Sequence, residues 1–220
     1  MSHHVVFLDR STLKANVRRP SFDHTWEEYD TTSPEQVVER LKNATVAFTN
    51  KVPLRGDVLA QLPNLKYIGV AATGYDVIDV PACRERGIVV ANIRNYAVHT
   101  VPEHAFALIL ALRRSIIAYR QDVERGRWQE VDQFCFFDHA IYDLFDSTIG
   151  IFGEGVLGQG TAKIARGFGM KVLFADHPGP KAPGVEFTPV EEVLAQSDII
   201  SLHCPLTADS RNMFGMEQFR

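Results

Sequence analysis

Short β-branched runs alternate with helical patterns along this chain. Val5 to Leu8, Val46 to Phe48, Lys66 to Val70 and Ile88 to Ala91 read as strands. Between them, Ser33-Pro34-Glu35-Gln36 marks a helix start: a capping Ser, Pro at the first helical position, and Gln three residues after the cap. Asp79 to Arg86 forms a second helical stretch, ended by Gly87. Thr100-Val101-Pro102-Glu103 repeats the capping pattern and opens a helix expected over residues 101–119. Its first half, VPEHAFALILAL, is apolar nearly all round, which predicts burial on several sides, between two domains or in a subunit interface. Gly126 to Tyr142 has no clear period and reads as a long loop.

The alternation resumes with a strand at Thr148 to Phe152, a helix at Val156 to Phe168 and a strand at Lys171 to Ala175. After the Pro/Gly-rich turn Pro178 to Pro183, Thr188-Pro189-Val190-Glu191 reads as a capping box opening a helix to Gln196, and Asp198 to His203 as a third strand. This predicts an α/β protein with parallel sheets covered by helices. A boundary near Asn95 to Thr100 divides it into domains 1–98 and 99–220. Three strands are half of a doubly wound nucleotide-binding sheet, and would leave a central apolar strand at an edge. Either another element covers that strand or the second domain is only partly present.

Composition narrows the function classes. Of 220 residues, 45% are hydrophobic and 23% charged, the ordinary globular range. The net charge of -4 offers no basic field, so nucleic acid is not an expected partner. The longest apolar run, near Phe106 to Leu112, is too short to span a bilayer, and the N-terminal MSHHVVFLDR does not read as a signal peptide. No membrane association is expected. Cys83, Cys135 and Cys204 lie far apart and show neither disulfide nor zinc spacing, which fits a reducing, cytoplasmic setting. His3 and His4 read as a tag remnant or native residues, with no metal role expected.

Candidate chemistry concentrates at strand ends. In GIFGEGVLGQGTAKIARGFGMKVLFADH, Gly153, Gly155 and Gly158 have G-x-G-x-x-G spacing after a strand and before a helix. Gly153 permits the tight turn, Gly155 lets a pyrophosphate approach the backbone, and Gly158 lets helix and strand pack closely. The helix N-terminus then presents unpaired N–H groups and a partial positive charge. Asp176 ends the next strand, where its carboxylate accepts from both ribose hydroxyls and repels a 2′-phosphate, favouring NAD over NADP. Ala71-Ala72-Thr73-Gly74-Tyr75-Asp76 follows a strand, either as backbone amides facing an oxyanion or carboxylate, or as a plain turn with a left-handed Gly. Cys204 reads as a nucleophile without a base nearby or, better, as a pocket-lining loop residue. Lys51 reads as a partner for a substrate carboxylate or as a solvated surface lysine. His99, His104 and His139 are proton carriers by type alone, and His104 reads as a hydrogen-bonded core histidine.

Together LKYIGVAATGYDVIDV, GIVVANIRNYAVHTVPEHAFALILAL, RGRWQ, the glycine loop and SDIISLHCPLT resemble the D-isomer-specific 2-hydroxyacid dehydrogenase family, in the family's order and over most of the chain. FLDRSTL, TNKVPL, YAVHTVPEH and FCFFDHAIYDL are most similar to its glycerate dehydrogenase (hydroxypyruvate reductase) branch. The resemblance implies a flavodoxin-like substrate domain and a Rossmann NAD-binding domain. It implies that Thr73, Val156, Leu157, Cys204 and Pro205 join Gly153, Gly155, Gly158 and Asp176 around NAD. It also implies that Lys51 and the loop Ala72, Thr73, Gly74 and Tyr75 meet a small 2-hydroxy or 2-keto acid, and that the helix 101–119 makes a homodimer. Asn95 and Asp146 stand where the family usually has Gly. The family's catalytic Arg, Glu and His correspond to segments beyond Arg220, so none of the residues given is expected to be catalytic, and these 220 residues alone are expected to be inactive. The alternative is a non-catalytic, dimerising NAD-binding module or a relic of the family.

Overall fold

The β-branched run near the N-terminus forms β1 (His3–Phe7), in which Val5 and Val6 are fully buried. In this computed structural model, which describes residues 2–219, it is joined by β2 (His24–Glu28), β3 (Val46–Thr49), β4 (Tyr67–Val70) and β5 (Val89–Asn92). All pairings are parallel and the order is β2-β1-β3-β4-β5. With β2 counted, this is the flavodoxin-like order. The helices α1 (Val37–Leu41), α2 (Gly56–Leu59) and α3 (Val80–Glu85) contribute Val37, Leu41, Leu59 and Cys83 to a core with Val6, Ile68 and Val70. Ser33 opens a 3₁₀ turn (Pro34–Gln36) ahead of α1, and the Gln36 side chain accepts the Ser33 N–H at 3.1 Å. Asp79 caps α3 by accepting the Ala82 N–H at 3.1 Å, and Gly87 follows at φ +67°. This unit ends at Asn95, itself left-handed at φ +61°, a conformation Asn shares with the Gly it replaces.

The unit beginning at Tyr96 opens with α4 (Thr100–Arg113), α5 (Ile116–Glu124) and α6 (Arg127–Glu130). The single helix expected over 101–119 is therefore broken. Ser115 is left-handed at φ +50°, and the freed Arg113 carbonyl accepts the Tyr142 N–H at 2.8 Å. Ser115 Oγ also donates to Ala140 O at 2.6 Å, so the following loop fastens onto the break. Nor is α4 buried all round: Pro102, Phe106 and Ile109 are buried, while His104 is exposed and Leu108 and Leu112 are 54% and 78% exposed. Phe106 stacks on Phe168, placing one face of α4 in the second core and leaving the other face open.

The second sheet contains β6 (Thr148–Phe152), β7 (Lys171–Ala175), β8 (Phe187–Thr188) and β9 (Ile199–Leu202), with α7 (Val156–Gly167) and α8 (Val190–Gln196). It has four strands rather than three, all parallel, in the order β8-β7-β6-β9. Thr188 belongs to β8, where its carbonyl accepts the Asp176 N–H at 2.9 Å. It is thus not the expected helix cap, and Pro189 takes that position without a side-chain capping bond. Numbered from β6, the order reads 3-2-1-4, the first part of the Rossmann sheet, with its switch point between β6 and β9. Asp146 enters β6 at φ +60°, again a left-handed residue at a Gly position.

Candidate functional site

At the switch point a cavity of about 440 Å³ opens at the carboxyl ends of β6, β7 and β9. It is lined by Gly153, Glu154 and Gly155 after β6, by Asp176 to Pro180 after β7, and by His203, Cys204 and Pro205 after β9. Of the residues singled out in the sequence, Gly153, Gly155, Asp176, Cys204 and Pro205 therefore meet at one cavity, while Val156, Leu157 and Gly158 form the first turn of α7 beside it.

The three motif glycines have three different surroundings. Gly153 turns at φ +101°, and an added Cβ would lie 2.7 Å from the Cys204 nitrogen. A Cβ on Gly158 would lie 1.9 Å from the Gly153 carbonyl oxygen and 3.3 Å from Ile151 Cγ2. A Cβ on Gly155 would meet nothing within 4 Å. Open space beside Gly155 adjoins the N-terminus of α7, which has no side-chain cap. Its first N–H groups are left to bind an anion. This cradle fits a pyrophosphate.

Asp176 holds the far end. Its Oδ1 receives Lys181 Nζ at 2.6 Å and the His177 N–H at 2.7 Å, and no protein group among the described residues bonds Oδ2. The Lys181 ammonium, then the His177 amide, keep this carboxyl below its ordinary range. Glu154 and His203 were not singled out as site residues. Glu154 pairs with His177, and the His203 ring bonds the Thr161 and Ser201 hydroxyls at 3.0 and 2.9 Å. Burial pushes the His203 imidazole down, so it stays neutral at pH 7. Cys204 Sγ lies 3.8 Å from Met213 Sδ, with no base beside it.

The remaining candidates lie in the first unit. Ala72 is buried, whereas Thr73, Gly74 and Tyr75 are exposed. Thr73 Oγ1 donates to Ile93 O at 2.9 Å, and Asn92 Nδ2 donates to Thr73 O at 2.7 Å, so the loop is tied to the strand end beside it. Gly74 is not left-handed. Lys51 is exposed, but its backbone is anchored. Asp9, only 3% exposed, accepts the Lys51 N–H at 2.6 Å and the Asn50 N–H at 2.9 Å. His139 is engaged by Asp122 at 2.5 Å, a tie between the loop and α5, and His99 is exposed. Among the described residues no His/Cys/Asp/Glu cluster could hold a metal ion, and no helix is long and apolar enough to cross a membrane.

Comparison with known proteins agrees with this geometry. Residues 106–220 match the model of the D-isomer specific 2-hydroxyacid dehydrogenase NAD binding domain. The chain belongs to this family. Its cofactor is NAD. Among its relatives, the glycerate dehydrogenase of Methylorubrum extorquens is 52% identical over 221 residues, covering 100% of this chain and 69% of that protein. The hydroxypyruvate reductase of Blautia hydrogenotrophica is 38% identical, covering 86% of this chain and 61% of its own length. A D-lactate dehydrogenase from Aquifex aeolicus, solved with NAD and lactic acid, superposes with a TM-score of 0.79 at 27% identity, over 97% of this chain and 64% of that one. The chain thus spans about two thirds of the length of these three proteins.

Proposed function

We propose that this chain is the cofactor-binding and carboxylate-binding part of an NAD-dependent oxidoreductase acting on small D-2-hydroxy acids, with glycerate and hydroxypyruvate as the substrate pair. The open cradle at Gly155, between an uncapped helix N-terminus and the free Oδ2 of Asp176, carries the cofactor part of this reading. The similarity to glycerate dehydrogenase carries the substrate part. When bound, NAD exchanges a hydride with the carbon bearing the hydroxyl. The amides from Gly155 to Leu157 hold the pyrophosphate, and Asp176 accepts from the ribose hydroxyls. The loop Ala72 to Tyr75, with Thr73 and Lys51, binds the substrate carboxylate. Three histidines are already engaged: His203 is held neutral by burial, and His139 and His177 are spent on Asp122 and Glu154. The resemblance assigns proton donation to a His paired with a Glu, and polarisation of the carbonyl to an Arg, all beyond Arg220. General acid catalysis contributes about 10²–10⁴-fold, so a polypeptide of these 220 residues should bind NADH yet not turn over hydroxypyruvate. Fluorescence titration with NADH and absorbance at the NADH band check both halves. Absence of NADH binding, or oxidation at an ordinary enzymatic rate, would refute the corresponding half.

A second copy of the chain completes the proposal. Leu108 and Leu112, one helical turn apart on α4, together with Ile116 and Ile117, are at least half exposed. Large apolar side chains exposed this near one another in the chain mark an interaction surface. Sedimentation should show a dimer, and Leu112→Glu, at a side chain 78% exposed in the single chain, should give a folded monomer. A parent protein that sediments as a monomer at all concentrations rejects the dimer.

A further inference from the structure

The position between Gly153 and Gly155 is free in the glycine motif, yet here it is a partly buried carboxylate with long-range partners. The Glu154 side chain is 13% exposed. Its oxygens lie 3.1 and 3.2 Å from His177 Nε2, and one accepts the Ala182 N–H at 3.3 Å. It therefore ties the β6 turn to both ends of the segment that follows Asp176.

Hydrogen bonds engage both ring nitrogens of His177. Its Nδ1 accepts the Gly179 N–H at 3.1 Å, so Nδ1 carries no proton. Nε2 then donates to Glu154. The neighbouring cation, Lys181, lies on Asp176 Oδ1 at 2.6 Å. Both basic side chains of this segment are thus engaged by carboxylates, while Asp176 Oδ2 remains for the ribose. Burial alone would raise the Glu154 carboxyl, but its own backbone amide and His177 outweigh this and hold it below the ordinary range, so it is charged at neutral pH.

We propose that Glu154 is a second determinant of cofactor preference beside Asp176: it places a negative charge next to the adenosine ribose and withholds His177 from any 2′-phosphate. The inference rests on the NAD-binding reading of this cavity. It differs from the usual assignment of discrimination to the acidic residue at the end of the second strand alone. A phosphate dianion entering beside Asp176 would meet two carboxylates, with His177 and Lys181 already engaged by them. Removing the Glu154 charge relieves one of the two repulsions.

The test is the ratio of the NADPH and NADH dissociation constants, measured by fluorescence titration on this chain and its Glu154→Gln, Asp176→Asn and doubly substituted forms, with a thermal melt of each. Gln keeps one carbonyl oxygen, which can accept from both His177 and Ala182 as Oε1 does, so the fold should hold. The ratio should nevertheless fall by about tenfold from the lost charge, and further in the double variant than in Asp176→Asn. An unchanged ratio in Glu154→Gln, with a lowered one in Asp176→Asn, overturns the role of Glu154. A loss of affinity for both dinucleotides in equal proportion also overturns it, since Glu154 then acts on loop shape alone. If the parent chain binds neither dinucleotide, the cofactor assignment itself fails.

Discussion

Gly158→Ala should abolish useful NADH binding, with affinity falling about 100-fold or more. The new methyl carbon would lie 1.9 Å from the Gly153 carbonyl oxygen, so one of the two backbones must move. Gly153 has no room to retreat, because the backbone of His203 and Cys204 closes its other side, 2.7 to 2.9 Å from where its own Cβ would stand. The strain falls on the turn that shapes the phosphate cradle. Overpacking a tight contact of this kind costs about 3 kcal/mol, and 1.4 kcal/mol is tenfold in affinity. The melting temperature should fall as well, since Gly158 is buried against β6. Gly155→Ala is the contrasting variant. Its Cβ touches nothing in the protein, so stability should be unchanged while NADH affinity falls, because the methyl occupies the space left for the pyrophosphate. Titration and melting of the two variants side by side separate the roles. Gly158→Ala binding NADH within about threefold of the parent would show that the turn does not shape the site.

The glycine loop was legible because its geometry is local: three glycines, a strand and a helix within one βαβ unit determine the turn. The apolar strands were legible for a related reason, since β1, β3 and β4 are buried and rich in β-branched residues. β2 was not. Its HTWEE has one large apolar residue, and an edge strand needs no apolar run; Trp26 opposite Val5 and near the Phe48 ring suffices to dock it. β8 was missed likewise, because two residues pairing with the end of β7 leave no periodic signal. The break at Ser115 was hidden because apolar residues continue through it as Ile116 and Ile117, while the Tyr142 amide that takes over the Arg113 carbonyl comes from a distant loop. Glu154 and Asp9 share this cause. Their partners lie 23 to 42 residues away, so each reads in sequence as an ordinary surface acid.

Asp9 carries the second large effect. It follows β1 and is 3% exposed, and its two oxygens accept the Asn50 N–H at 2.9 and 3.1 Å and the Lys51 N–H at 2.6 Å. Beside it, Thr49 Oγ1 is fully engaged with Val52, donating to its carbonyl and accepting its N–H, both at 3.0 Å. The turn bearing Lys51 is therefore built on side chains rather than on strand pairing. Hydrogen bonds to a charged group contribute about 1.5–3 kcal/mol each, and a donor left unpaired in a buried place costs about 1–3 kcal/mol. Asp9→Ala removes the acceptor for two amides and should destabilise the first unit by about 3 kcal/mol. For a unit of this size, 1 kcal/mol moves the midpoint by about 4–8 °C, so its transition should fall by about 12–24 °C. Asp9→Asn keeps one carbonyl oxygen in place and should lose about half as much. The cavity beside the glycine loop is built from residues of the other unit, so NADH affinity should survive in Asp9→Asn while hydroxypyruvate binding weakens as the Lys51 backbone loosens. Differential scanning calorimetry with paired titrations reads all three quantities. An Asp9→Ala midpoint within about 2 °C of the parent would mean that water replaces the carboxylate without cost, and that Asp9 does not hold the Lys51 turn.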